Sequence, residues 1–387
     1  MRLLETSWIY FRNLEPRRQQ WSPGLNVFLG PNGSGKTNIL ELFNVLSGWG
    51  AFGQGNRVSS MVAWNSPERH SLLSGSACGE RDLEVTAQIG DRLVLRVFNE
   101  RATYSELRAL LPSFSFLPSD VNILDGSPSV RRLFLDKLCA LCSPLYARRL
   151  AEYKQLIRHR NVLLRSALQR GSGESAALRA SAIPLARLGG WIRLVRQRAV
   201  DLLSENLGEM SFENAEKTSK VEKVDKNVLP FDVGVVMELR GGDVQAGCGL
   251  EDYVEDLRSA LAAGLERERR AGLVLAGPHR DDLMFSCLGR PAALALSRGQ
   301  KRRVAMAAIL AAGRIVEAKL RVKPILILDD VTAELDADGK ALMGLALMAT
   351  GWQVFASGVE DPFRVTGAAE VAKYAIWRVR DGKIFRE

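Results

Sequence analysis

The sequence predicts an α/β protein whose sheet-bearing core is split along the chain by a mainly helical insertion. Three observations predict it. Leu29-Gly30-Pro31-Asn32-Gly33-Ser34-Gly35-Lys36-Thr37-Asn38 is a glycine-rich turn. It lies between a short apolar strand, Gly24–Phe28, and an amphipathic helix, Ile39–Leu46. Pro324-Ile325-Leu326-Ile327-Leu328-Asp329-Asp330 is a buried-type parallel strand ending in two acids. Between them, Ser127-Pro128 and Ser143-Pro144 each pair a capping serine with proline at the first helical position.

The glycine turn has the context of a phosphate-binding P-loop. Gly30, Gly33 and Gly35 admit backbone angles closed to other residues, so the amides of the loop from Gly30 through Asn32 and Ser34 to Asn38 can converge on phosphate oxygens. The new helix adds the positive end of its dipole. Lys36 supplies a cation, and the Thr37 hydroxyl suits a phosphate-bound Mg²⁺. Asp329 is the matching carboxylate for the metal, in the Walker B position. Asp330 lies beside it, and Lys36 is a candidate catalytic group. ATP with Mg²⁺ is the ligand this pattern points to.

Lys36 and Asp329 lie almost three hundred residues apart, more than a plain P-loop core needs. The expected division is a discontinuous nucleotide lobe, residues 1–125 and 313–387, around a helical lobe, residues 126–312. At 387 residues, with 47% hydrophobic and 25% charged content, the composition is that of a soluble globular protein. No apolar run is long enough to span a bilayer and no leader precedes Leu3, so a cytoplasmic location is expected. Five scattered cysteines read as reduced thiols, including the single pair Cys139 and Cys142. The net charge is +9, and residues 128–200 hold fifteen Arg/Lys against three Asp/Glu. That regional excess is compatible with nucleic acid.

Taken in order, residues 2–28 read as two strands about a turn at Glu15-Pro16-Arg17. Ala51–Gly79 reads as irregular. Asp82–Asn99 alternates as a hairpin around Gly90-Asp91. Phe114–Leu117 is a short strand. A helix from Pro128 and a long one from Pro144 to Arg170 follow, ended by Gly171-Ser172-Gly173. A further helix spans Glu174 to Met210, with a break expected near Pro184 and Gly189-Gly190. The two long helices form a short antiparallel arm, about 144–210. Phe231–Leu239 is a strand, Leu250–Arg269 a helix, and Leu273–Ala276 and Leu283–Cys287 are strands flanking Gly277-Pro278-His279-Arg280-Asp281-Asp282. An alanine-rich helix covers Arg298–Lys319. Trp352–Ser357 is a later strand of the Walker B sheet, and Tyr374–Ile384 closes the chain as a hairpin.

Leu296-Ser297-Arg298-Gly299-Gln300, directly before that alanine-rich helix, resembles the signature sequence of ABC-type ATPases. Its serine hydroxyl, glycine amide and helix N-terminus make a second anion site. The resemblance implies that Ser297, Gly299 and Gln300 face the γ-phosphate held by a second copy, giving an ATP-dependent homodimer with two composite sites. Val331–Asp336 is similar to the D-loop, which brings Asp336 into the site. Asp330 stands where most such ATPases carry a catalytic glutamate; the resemblance implies that it is the general base, and its shorter reach implies slow hydrolysis.

Further runs narrow the resemblance: Phe11-Arg12-Asn13, Pro118-Ser119-Asp120, Gly126-Ser127-Pro128 with Arg131-Arg132 and Asp136, Tyr153-Lys154 with Arg160–Leu164, and Gly277–Asp282. In this order the chain resembles the RecF family of bacterial DNA replication and repair ATPases over nearly its full length. The fold this implies is an ABC/SMC-like P-loop ATPase head with an inserted mainly helical lobe bearing a short antiparallel helical arm. The activity it implies is a weak, DNA-stimulated, Mg²⁺-dependent ATPase that binds duplex DNA at single-strand gaps without sequence preference and helps load RecA with RecO and RecR. Another SMC-like ATPase of defence or repair, or an ABC transporter subunit, are the competing readings. Ser119 and Ser357-Gly358 depart from the family pattern, which usually has glutamate at the first and a threonine-rich loop at the second. Arg148, Arg149, Lys154, Arg158, Arg160, Arg165 and Arg170 on the first arm helix are candidate phosphate contacts. DNA could equally lie across the dimerised lobes. His279 is read either as an acid–base group or, with Arg280 and Asp281-Asp282, as tying the lobes together.

Overall fold

The computed structural model of the chain describes residues 1–53, 57–170, 176–218, 235–244, 247–330, 337–361 and 374–387. Contacts define two units: Met1–Val121 with Ser297–Glu387, and Asn122–Glu209 with Gly234–Leu296. The sequence reading put its boundaries at 125/126 and 312/313. The later one differs because the alanine-rich helix packs as one piece with the first unit, and every residue from Val304 to Ala312 is buried.

The first unit contains two sheets. One is antiparallel, in the order β2-β1-β4-β5-β6-β7, from β1 (Arg2–Ile9), β2 (Arg17–Gln20), β4 (Ser71–Cys78), β5 (Leu83–Ile89), β6 (Leu93–Val97) and β7 (Glu100–Ala102). The other runs β15-β14-β3-β13-β12-β8, from β3 (Leu25–Leu29), β8 (Ser113–Phe116), β12 (Ile325–Leu328), β13 (Gln353–Gly358), β14 (Tyr374–Arg380) and β15 (Lys383–Arg386). It is parallel except for the closing β14–β15 hairpin. Every residue of β3, β12 and β13 is buried, which is why these strands read as unbroken apolar runs. Helix α1 (Lys36–Leu46) buries Phe43 under Trp21, whose ring meets Phe28, Phe43, Phe355 and Trp377 edge-on at 5.2–5.8 Å. The unit is completed by α2 (Tyr104–Leu110), α10 (Arg298–Leu320) and α11 (Ala337–Thr350).

Two readings of this unit are corrected. Residues 2–28 form three strands, the third leaving for the parallel sheet. The supposedly irregular Ala51–Gly79 contains β4, paired along its length with β1 and β5. Its inward positions are Ser71, Leu73, Gly75 and Ala77, so the alternation is carried by small residues.

The second unit holds α3 (Asn122–Asp125), α4 (Pro128–Cys142), α5 (Pro144–Arg170), α6 (Ala176–Thr218, most of it), α7 (Leu250–Ala263), α8 (Leu265–Ala271) and α9 (Ala292–Ala295). A small sheet, β11-β10-β9, joins β9 (Val235–Arg240), β10 (Asp282–Cys287) and β11 (Arg290–Pro291). Helix α6 continues through Pro184, where a break was expected; Leu185 and Ala186 are buried, and packing outweighs the one lost backbone bond. Gly264 divides the single helix expected over Leu250–Arg269. Leu273–Ala276 is not a strand. Its amides are taken up locally, Val274 donating to Asn161 Oδ1 and Leu275 to Glu268 Oε1. The turn at Gly171-Ser172-Gly173 lies outside the described residues.

Buried ion pairs knit this unit. Arg160 meets Glu268 at 3.1 Å, Arg193 meets Asp281 at 2.8 Å and Asp256 at 2.9 Å, and Arg196 meets Asp136 at 2.8 Å. Arg131 grips both carboxylate oxygens of Asp282. His279 Nδ1 lies 2.7 Å from the Tyr153 hydroxyl and its Nε2 3.1 Å from the Val274 carbonyl. These partners of His279, Asp281 and Asp282 all belong to the second unit, which the run helps to organise.

Candidate nucleotide site

The loop between β3 and α1 is shaped by what its glycines approach. A Cβ on Gly30 would sit 2.2 Å from the Val379 carbonyl oxygen of β14. Gly35, the residue before α1, has φ 111°, and a side chain there would also press on Asn13. Gly35 supplies no side-chain cap, so the first amides of α1 keep no local acceptor of that kind. The Ser34 hydroxyl is buried and has no hydrogen-bond partner, an orphaned polar atom inside the loop. Amides at a helix start and an unanswered hydroxyl are what an anion would satisfy.

Lys36 is buried, and its Nζ donates to the carbonyls of Gly30 at 2.6 Å and Pro31 at 2.9 Å. Burial lowers its pKa, while Asp329 and Asp330 pull it back up. Thr37 Oγ1 donates to Asp329, at 2.9 and 3.1 Å from the two carboxylate oxygens. The parallel sheet brings these distant residues together, because β3 and β12 flank β13 and all three end at the same edge. Asn38 donates to Asn13 Oδ1 at 2.7 Å, fixing the loop from the far side.

Sequence reasoning noted Ser357 only as a departure from a pattern. The structure gives it a contact role. Its buried hydroxyl donates to Asp329 Oδ1 at 2.6 Å and accepts from the Asp330 amide at 3.0 Å. Nothing local in Ala356-Ser357-Gly358 signals this, since the contact depends on the β12–β13 pairing.

Asn32, Gly33, Gly35, Lys36, Thr37, Asn38, Pro118, Asp329, Asp330, Ser357 and Val359 line a cleft of about 330 Å³. Ser297 and Gly299 are not among its lining residues. Ser297 is exposed at the start of α10, where its hydroxyl accepts from the Gln300 amide and Gln300 Oε1 accepts from the Ser297 amide. Asp336 falls outside the described residues.

A hard divalent ion fits the donor set. No cluster of three or more His, Cys, Asp or Glu exists among the described residues. A hydroxyl and one carboxylate leave most of the coordination shell to water and phosphate oxygens, the arrangement Mg²⁺ favours. Thr37 and Asp329 are the residues that would hold it.

Of the arm residues, Lys154, Arg158 and Arg165 are exposed and recur at helical spacing on one face of α5. Arg148 and Arg149 share Glu152, at 3.1 and 3.5 Å. Arg160 is removed from the candidate face: it is buried, held by Glu268, the Leu178 carbonyl and Ser181. All five cysteines stand outside any disulfide, and burial pushes Cys139 far above the ordinary thiol range, which makes it inert. No helix among the described residues is long and apolar enough to cross a membrane.

Sheet order, P-loop and paired Walker B acids define the class as a P-loop ATPase head. The family model described as the RecF/RecN/SMC N terminal domain matches residues 7–369. The chain is 33% identical over 389 aligned residues to the DNA replication and repair protein RecF of Beutenbergia cavernae, covering 92% of this chain and 94% of that one. It is 31% identical over 365 residues to RecF of Deinococcus deserti, covering 93% and 91%. The chain belongs to the RecF family. Its fold is similar to that of the recombination mediator protein RecF solved as RecF-ATPrS, with TM-score 0.83 at 24% identity over 99% of this chain and 97% of that one. The Smc head bound to the C-winged helix domain of ScpA is similar at TM-score 0.54 and 15% identity over 100% and 98%.

Proposed function

We propose that this chain is an ATP-gated DNA clamp of recombinational repair, acting as a homodimer with two nucleotides sandwiched between copies. The observation that carries the reading is the split of the site. Thr37, Asp329 and Asp330 share one cleft, while the signature serine Ser297 stands exposed outside it. A γ-phosphate in that cleft would thus meet Ser297 and Gly299 only from a second copy. The relative solved as RecF-ATP supports ATP as the ligand.

The chain's own residues have distinct tasks in this scheme. The amides from Asn32 to Thr37 and the Ser34 hydroxyl bind phosphate oxygens, and Lys36 neutralises their charge. Bound Mg²⁺ supplies Lewis-acid stabilisation of the phosphates. Asp330 orients the attacking water and accepts its proton, and its short side chain keeps turnover slow. Duplex DNA beside a single-strand gap is the proposed ligand, contacted through phosphates by Arg148, Arg149, Lys154, Arg158 and Arg165 without base readout. RecR, RecO and RecA are the proposed partners, and DNA stimulates hydrolysis.

Sedimentation velocity tests the reading. With ATP and Mg²⁺ the wild type should sediment as a dimer, and Lys36→Met or Ser297→Arg should leave a monomer. A wild type that stays monomeric at micromolar protein and saturating ATP would sink the proposal.

A further inference from the structure

Asp330 is a non-glycine residue in the left-handed region, with φ 47°. Such a residue stays there when its surroundings impose it. Here two hydrogen bonds grip its backbone from opposite sides. Ser357 Oγ accepts from its amide at 3.0 Å, and Arg302 donates a guanidinium N–H to its carbonyl. Arg302 is 4% exposed and lies in the second turn of α10, the helix that Ser297 caps. The Ser297–Gln300 capping box makes the first turn of α10 one stiff piece. Ser297 therefore points out of the chain while Arg302, five residues on, points in to the carboxylate-bearing residue.

We infer that Arg302 is a positioning residue that transmits engagement of Ser297 by a second copy's nucleotide to Asp330 of its own chain. The inference rests on the dimer reading above. Its consequence is that each Asp330 is set for hydrolysis only when the signature helix of the same chain is engaged at the other site. The two nucleotides are then hydrolysed as a coupled pair, although each sits in its own cleft.

The experiment uses the full chain with ATP and Mg²⁺. Arg302→Ala should keep ATP affinity and the dimer fraction within about twofold of wild type, while kcat falls about tenfold with KM unchanged. Arg302→Lys, which keeps a donor, should restore part of the rate. Added to Asp330→Asn, Arg302→Ala should lower turnover no further, because both act through one group. Mixed dimers of Lys36→Met and Ser297→Arg chains retain one intact site, whose Asp330 belongs to the chain with the disabled signature. That site should turn over about tenfold below a wild-type site. A full rate in Arg302→Ala, an additive loss with Asp330→Asn, or a full per-site rate in the mixed dimer would each overturn the inference. If Arg302→Ala does not bind ATP, Arg302→Lys is judged by the same criteria. Sedimentation of the wild type decides the dimer reading separately.

Discussion

Ser357 places one hydroxyl between two carboxylate residues, donating to Asp329 and accepting from the Asp330 amide. Ser357→Ala leaves that half-buried amide without its partner and frees the buried Asp329 to turn, a loss of about 1–3 kcal/mol in stability. ATP hydrolysis should fall by about tenfold or more, and the Mg²⁺ concentration for half-maximal rate should rise, since Asp329 is a proposed ligand. A steady-state titration with Mg²⁺ checks both. His279 makes a second prediction at this scale. Burial chiefly, then the neighbouring Arg280, Arg132 and Arg193, pushes its imidazole down to about 4 from an ordinary 6.5, against the Val274 carbonyl. Between those values the unfolded chain takes up a proton that the fold refuses. Stability is therefore full above pH 6.5 and declines as pH falls towards 4, by up to ~3 kcal/mol from this group. Asp281, raised by burial against the pull of Arg193, works in the opposite sense, above the ordinary carboxylate value. Urea unfolding at pH 7 and pH 5 should show the decline, and His279→Gln should flatten it.

Helix α5 carries two kinds of arginine that its sequence does not tell apart. Lys154, Arg158 and Arg165 lie on an exposed face, whereas Arg160 is buried against Glu268 of α8. Reversing the three exposed charges to glutamate should reduce the slope of log affinity for duplex DNA against log salt by about 3, with unfolding unchanged. Arg160→Ala should do the reverse, lowering stability by about 3–5 kcal/mol through the uncompensated Glu268 while leaving the salt slope alone. Fluorescence anisotropy across a salt series, beside urea melts, separates the two. The contrast shows where reading the sequence stopped. Pro128 and Pro144 mark their helix starts locally, and the apolar runs of β3 and β12 announce burial on both faces, so α4, α5 and the nucleotide edge were legible. The basic excess of residues 128–200 was legible as a number but not as a surface. Arg131, Arg160, Arg193 and Arg196 spend their charge on buried pairs, and the partners Asp136, Asp256, Glu268, Asp281 and Asp282 lie 60 to 151 residues away along the chain. Strand β4 was missed for another reason: with Ser71, Gly75 and Ala77 facing inward, its period-two signal has almost no hydrophobic amplitude.

At the scale of the whole molecule, the division of labour between Lys36 and Ser297 makes a prediction that no single chain can show. Lys36 lines the cleft, and Ser297 stands exposed away from it at the head of α10. If each site takes its P-loop from one copy and its signature from the other, Lys36→Met disables one half of a site and Ser297→Arg the other half. Neither variant alone can assemble a complete site. In a mixed pair, however, both lesions fall in the same site, and the second site joins an intact P-loop from the Ser297→Arg chain to an intact signature from the Lys36→Met chain. Mixing two monomeric variants should therefore restore an ATP-dependent dimer that retains one nucleotide where the wild type retains two. The remaining closed site should also restore part of the binding to gapped duplex DNA, because one latch still holds the two basic arms on one ligand and binding by two arms is stronger than by either. Sedimentation with a fluorescent ATP analogue counts nucleotides per dimer directly. Recovery is specific to trans sites: were Lys36 and Ser297 to serve the same chain's nucleotide, each variant would carry its own defect into every complex and the mixture would stay monomeric.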